Sequence, residues 1–356
     1  MPNLVWLVVS FLILSGCSPG YVIRAAYEES KILWRRQPIA VVLQTEDLDP
    51  VLRKKYESVL DVREFAKDKL DLRVGGSYRT ISYVDGPVLA HLLTAVPKAD
   101  FQPYTWWFLF VGRVPYKGYF DRSDAEQEAQ ELEGRGYDTH IRPVGAFSTL
   151  GWFDDPLLEH LLRLHRVRLA DVIIHELFHN TLFVSGSVEF NEALANFVGK
   201  RGAIKYFTDR YGSASPEAQM ARQIWIDEQQ FSRFLMRSIA CLKEIYGQKV
   251  AEPEKLRRRA ELFNAMQSEW RQEIASRTDH PHRTFGQKNL NNAVLMQDYL
   301  YVNNLELFEA LYQRTGGDLR MVIEEMRDLT DLAEPPYESL AKRVAGTQRL
   351  SDRERR

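Results

Sequence analysis

Five residues, His175-Glu176-Leu177-Phe178-His179, constrain this chain more than any other feature. They follow the apolar run Val172-Ile173-Ile174, and the pattern predicts a helix over 166–183. Residues four apart share one face of a helix, so both imidazoles point the same way and can hold one metal ion. Two neutral imidazoles joined by a carboxylate suit zinc. Glu176, between them in sequence, is placed to act as a general base toward an attacking water.

Two histidines alone make a weak site; a catalytic zinc takes three protein ligands and keeps a fourth position open. A second helix is expected over 188–211, joined to the first by Val184-Ser185-Gly186-Ser187. It carries Asn191-Glu192-Ala193-Leu194-Ala195-Asn196, with twelve residues between His179 and Glu192. That connection lets the second helix fold back antiparallel, and the small Ala193 and Ala195 permit close approach. Glu192 is the expected third ligand. Glu189 is the rival carboxylate, with a partner role at the helix N-terminus as its other reading. Asn196, one turn after Glu192, either hydrogen-bonds a ligand imidazole from behind or faces water.

The rest of the chain divides near residue 153. Before it, helices are expected over 21–36 and 50–70, the latter capped by Asp49 with Pro50 at its first position. Strands are expected over 77–84, 87–96, 106–111, 137–144 and 146–152, with a short helix over 123–134 capped by Ser123. From Pro156 onward the pattern is helical. Phe231, Leu235, Ile239, Leu242 and Tyr246 form one apolar stripe, and Leu256, Phe263, Met266, Trp270 and Ile274 another. Gly247 and Pro253 mark the turn of this hairpin. Further helices are expected over 292–314 and 318–326. His280 and His282 sit in an irregular loop, either exposed or within reach of the metal site. The organisation expected is one α+β domain over 17–345, with a sheet-containing part (17–153), a helical part (154–345) and a disordered charged tail (346–356).

The N-terminus reads as an address. Residues 4–14 (LVWLVVSFLIL) are uncharged and apolar, too short to span a bilayer but long enough for a signal-peptide core. They end in Leu14-Ser15-Gly16-Cys17, which resembles a bacterial lipobox cut before a lipidated cysteine; the segment before the run, Met1-Pro2-Asn3, has no Lys or Arg. The expectation is a signal peptide over 1–16, lipid on Cys17, and a chain facing the periplasm or exterior. Ser18, in place of Asp, resembles sorting to the outer membrane. The only other cysteine is Cys241, expected as a buried inert thiol, so a disulfide framework and a cysteine-ligated zinc finger are both excluded. Lys and Arg total 47 against 49 Asp and Glu, which disfavours a nucleic-acid partner.

The two zinc segments resemble the gluzincins, which include thermolysin and the zinc aminopeptidases. More specifically, the chain is similar to a bacterial family of predicted zinc aminopeptidases, many with lipoprotein signals. The marks are 111–120 (VGRVPYKGYF), 146–153 (AFSTLGWF), 155–158 (DPLL), the zinc helix, then Asn291-Asn292-Ala293 and Tyr301. The spacing to the third carboxylate is shorter than in better-known gluzincins, and no Gly-x-Met-Glu-Asn amine-binding motif precedes the zinc helix. The resemblance implies a zincin-like fold and peptide substrates. It also implies a sheet-edge strand that binds extended peptide, for which Ser148, Thr149, Leu150 and Gly151 are the candidates, a core strand being the alternative. Tyr301 is a candidate to stabilise the oxyanion, with simple packing as its other reading. The leading expectation is a lipid-anchored zinc peptidase, with an amidase or endopeptidase at the cell envelope, or a non-catalytic binding lipoprotein, as alternatives.

Overall fold

The computed structural model describes residues 19–84, 88–108, 112–145, 154–330 and 334–354. Cys17 and the signal segment lie outside these residues, as does the expected strand over 146–152 with Ser148, Thr149, Leu150 and Gly151. Helix α1 spans Pro19–Trp34 and the short α2 spans Ile39–Val42. Helix α3, Pro50–Leu70, starts and stops for legible reasons. Asp49 accepts from the Val51 and Leu52 amides at 2.9 Å each. At the far end Asp71 turns left-handed (φ 57°) and closes the helix. Its buried stripe, Tyr56, Val59, Val62, Ala66 and Leu70, recurs every three or four residues.

The sheets are small. Strands β1 (Gln37–Pro38), β2 (Thr80–Ser82) and β8 (Leu157–Leu158) form one, with β1 antiparallel and β8 parallel to β2. Strand β3 (Ala90–Pro97) runs between β6 (Tyr116–Tyr119) and β7 (Tyr137–Val144), antiparallel to both. Strands β4 (Trp106–Phe108) and β5 (Gly112–Val114) make a two-stranded ribbon. Alternate residues of β3 serve different cores, as a period of two requires. Leu93 and Ala95 pack with Ala125, Ala129 and Leu132 of helix α4 (Arg122–Gly134). Val96 joins the main core, and Thr94 accepts from Gln297 Nε2 at 3.2 Å.

The main core lies in the helical half: α5 (Arg166–His179), α6 (Val188–Tyr211), α7 (Pro216–Gly247), α8 (Glu252–Glu273), α9 (Asn292–Val302), α10 (Leu305–Arg314), α11 (Leu319–Thr330) and α12 (Pro336–Glu354). The expected hairpin is α7 and α8. Trp270 is fully buried there, with ring centroids 5.2 Å from Phe231 and 4.8 Å from Phe234. Among the described residues, no helix is long and apolar enough to cross a membrane.

Several expectations are corrected. The strand over 77–84 shrinks to three residues because Tyr78 is left-handed (φ 61°) and its amide donates to the Asp155 carbonyl at 2.8 Å. Of the run expected over 106–111, Trp106–Phe108 forms β4, 109–111 lie outside the described residues, and β5 pairs with β4 antiparallel from Gly112 (φ 78°). Helix α4 begins after Asp121 and not at Ser123; the Asp121 carboxylate is drawn away to Arg24, at 2.7 Å, and makes no side-chain cap. Strand β8 lies beyond the expected boundary at 153. The helix expected over 292–314 breaks at Asn303-Asn304, where Asn304 is left-handed (φ 50°). Cys241 is exposed: its neighbours Ile239 and Leu242 face the core, and the cysteine lies on the opposite side of α7.

The cap on α3 is separable from the metal site. Asp49→Ala is expected to lower stability by about 0.5–2 kcal/mol, read from the midpoint of urea unfolding, with metal content unchanged.

Candidate metal centre

Helices α5 and α6 pack antiparallel, so that Asp171 faces Lys200, His175 faces Gly199 and His179 faces Glu192. Their approach is set at Gly199. A Cβ there would stand 2.8 Å from the Asp171 carbonyl oxygen and 3.2 Å from His175 Cβ, closer than side chains tolerate. Behind this contact, Lys200 Nζ reaches Asp171 Oδ2 at 2.9 Å and Asn196 Oδ1 at 3.0 Å, both buried. The ion pair pins the register of the two helices.

One turn on, three donor atoms converge. His175 Nε2 and His179 Nε2 lie 3.2 Å apart. Glu192 Oε2 is 3.5 Å from the first and 3.8 Å from the second. Zinc ligands at roughly 2.0–2.2 Å in a tetrahedron lie roughly 3.3–3.6 Å from one another, so these three atoms already stand near the corners of such a shell. Among the described residues this is the group of histidines and acids that could hold a metal ion. Glu189 is exposed on the first turn of α6 and does not join it.

The electrostatics are those of a ligand set. Burial pushes the Glu192 carboxyl up, but hydrogen bonds from His175 and His179 outweigh it and hold the group far below the usual carboxylate range. Burial pulls His179 down, and the Glu192 hydrogen bond and charge more than restore it. Glu192 is thus ionised, and its second oxygen accepts from the Tyr116 hydroxyl at 3.2 Å. Glu176 is half-buried, and its carboxyl is raised. Burial is the main cause; the two histidines lower it, and Glu192 and Asp155 raise it again. A carboxylate raised toward neutrality is a better proton acceptor than an ordinary surface one.

The chain belongs to an aminopeptidase family. The family model described as "Putative aminopeptidase" matches residues 20–339, nearly the whole described chain. No curated protein and no solved structure matches it.

In this member of the family the remaining expected site residues fall as follows. Tyr301, near the end of α9, stacks its ring against His175 (centroids 6.2 Å apart, planes 29° apart). Its hydroxyl accepts from Arg142 Nη2 at 2.9 Å. Burial and the Glu192 charge push the phenol up, so it stays a proton donor at neutral pH. Asn196 does not bond an imidazole. Its Nδ2 donates to Glu228 Oε1 (3.0 Å) and to the Tyr301 carbonyl (2.8 Å), so it holds the turn that carries Tyr301. His280 and His282 are neither exposed nor at the metal donors. His280 is buried with its ring 5.1 Å from that of Trp270. His282 stacks on Phe231 at 3.9 Å and places Nε2 3.0 Å from Glu228 Oε2. The aromatic cluster of the α7–α8 hairpin draws both inward.

Sequence reasoning passed over Tyr116, Arg142 and Glu228 as site residues. Tyr116 lies in β6 and Arg142 in β7, far from the zinc helices in sequence, and no local spacing points to them.

Metal analysis after gel filtration tests the ligand set. His175→Ala and His179→Ala should each lose the metal, and Glu192→Gln should weaken binding more than Glu189→Gln. The reverse order of the two carboxylates would rule out this ligand set. Gly199→Ala should cost about 1–3 kcal/mol of stability by overpacking and should weaken metal binding as well.

Proposed function

We propose that this chain is a zinc-dependent aminopeptidase of zincin-like fold, anchored to the cell envelope by lipid on Cys17. The observation that carries the catalytic part is the near-tetrahedral spacing of His175 Nε2, His179 Nε2 and Glu192 Oε2 on adjacent helices. Membership of the aminopeptidase family supplies the substrate class, peptides. The lipid anchor rests on Leu14-Ser15-Gly16-Cys17 alone, and Ser18 after it favours the outer membrane.

His175, His179 and Glu192 would hold the zinc, which when bound would supply Lewis acidity toward the scissile carbonyl and toward water. Glu176, carried on the same helix as both imidazoles, takes the proton from the attacking water and passes it to the leaving amine. Glu192 stays ionised and is fixed by the Tyr116 hydroxyl. Tyr301 supplies a neutral hydroxyl that accepts from Arg142 and so keeps its own proton to donate to the oxygen that gains charge. The Asp155 carboxylate lies close enough to raise Glu176, and the two give the site a negative field that suits a substrate ammonium. A purely structural zinc has no use for Glu176 beside its ligands, which disfavours the reading as a non-catalytic binding lipoprotein. A strand over 146–152 would complete the site by pairing with the peptide backbone through Ser148, Thr149, Leu150 and Gly151.

The zinc-loaded chain incubated with a mixed peptide library should release single residues from amino termini, seen by mass spectrometry. Release of internal fragments alone would point to an endopeptidase, and cleavage confined to cell-wall peptides to an amidase. Glu176→Gln should keep zinc and fold and lose a factor of about 10²–10⁴ in kcat, since proton transfer belongs to the transition state. Full zinc with near wild-type hydrolysis would sink this role for Glu176. Cys17→Ser should abolish lipid labelling and membrane association; unchanged association would remove the anchor.

A further inference from the structure

Arg142 stands out among the half-buried cations. Arg259 has Asp138 at 2.6 Å and Arg277 has Asp227 at 2.9 Å, but among the described residues Arg142 has no carboxylate at ion-pair distance. It donates one N–H to the Tyr301 hydroxyl at 2.9 Å, and its Nε is buried with no hydrogen-bond partner. Its guanidinium carbon lies 5.2 Å from the centre of the Tyr301 ring, the same ring that stacks on His175. A charged fork with unused donors therefore stands one aromatic side chain away from the metal donors.

The charge pattern says what would complete it. Glu176, Glu192 and Asp155 place negative charge around the metal donors, and Arg142 places a positive charge beside them. A molecule with an ammonium at one end and a carboxylate at the other matches both parts. The planar guanidinium accepts a carboxylate through paired N–H bonds. An extended chain rises roughly 3.3–3.6 Å per residue. On this reading the carboxylate that reaches Arg142 belongs to a residue close after the scissile bond, either as a free C-terminus or as an acidic side chain.

We propose that Arg142 forms a carboxylate subsite beside the metal centre and directs the enzyme toward dipeptides, or toward peptides with an acidic residue after the cleaved bond. This rests on the peptidase reading above and adds the substrate class.

The test measures binding by calorimetry, on the full zinc-loaded chain carrying Glu176→Gln so that peptide is not consumed. Leu-Leu should bind about ten- to hundredfold more tightly than Leu-Leu amide, the range expected for a charged hydrogen-bonded pair. Adding Arg142→Gln should bring the two to within about twofold by weakening the free acid alone. A preference for Leu-Asp amide over Leu-Asn amide, lost with Arg142→Gln, assigns the subsite to an acidic side chain instead of the C-terminus. Equal binding within both pairs while Arg142 is intact overturns the proposal, and that comparison needs no folded Arg142 variant. Weakening of acid and amide alike by Arg142→Gln also overturns it, leaving Arg142 as a support for Tyr301. If the wild-type chain cleaves peptides with no carboxylate preference, only this inference fails; if no peptide is bound or cleaved, the peptidase reading fails with it.

Discussion

The backbone of α6 at Gly199 lies against that of α5 at Asp171, with no room for a Cβ between them. That contact sets the helix separation one turn from His175, and hence the distance from both imidazoles to Glu192. Metal ligands must converge to within a few tenths of an ångström, and two helices separated by ordinary apolar side chains would hold Glu192 too far away. At this seam Lys200 and Asp171 pair at 2.9 Å while both are buried. Such a pair adds little net stability, but removing one partner leaves an unpaired buried charge that costs about 3–5 kcal/mol. Its evident use is to fix the register of α6 on α5.

From this seam a chain of buried polar contacts runs outward. Lys200 holds Asn196, and Asn196 holds both Glu228 of α7 and the Tyr301 carbonyl at the end of α9. Glu228 in turn holds His282 of the loop after α8. Three separate segments of the helical half are therefore tied to the metal helices by hydrogen bonds whose partners are each satisfied, which is the condition under which buried polar networks specify a single arrangement. On the opposite side the central sheet contributes through two strands. β6 brings the Tyr116 hydroxyl to Glu192, and β7 brings Arg142 to Tyr301. β3 pairs antiparallel with both strands, Tyr116 opposite Thr94 and Arg142 opposite Leu92, so the two residues flank β3 two positions apart.

The group that could hold a metal ion was legible in the sequence because the chemistry is local. Two histidines four apart on a helix share a face whatever the fold, and Glu192 follows in the next helix after a connection short enough to force an antiparallel return. Helix α3 was equally legible, since Asp49-Pro50 is a cap that works through its own neighbours. Elements that depend on distant partners were misread. The strand over 77–84 lost residues to a left-handed Tyr78 that bonds Asp155 across the fold, and Asp121 gave up a cap to Arg24. Asn196 was placed in the right neighbourhood with the wrong partner, since the acceptor that wins its side chain, Glu228, lies one helix farther along the chain.

The sequence by itself therefore determined the helix pair and the three side chains that could hold a metal ion, because each follows from periodicity within about thirty residues of chain. It also determined that His280 and His282 are close in space to one another, being two residues apart, but not that the aromatic hairpin would bury them. The tertiary structure alone decided that Tyr116 backs Glu192, that Arg142 meets Tyr301, and that a cation with no carboxylate at ion-pair distance among the described residues stands near the candidate metal donors. Those contacts join residues 76 to 159 positions apart. Nothing in the local pattern of β6 or β7 encodes them, because sheet pairing and helix packing bring such residues together only after the whole chain has folded.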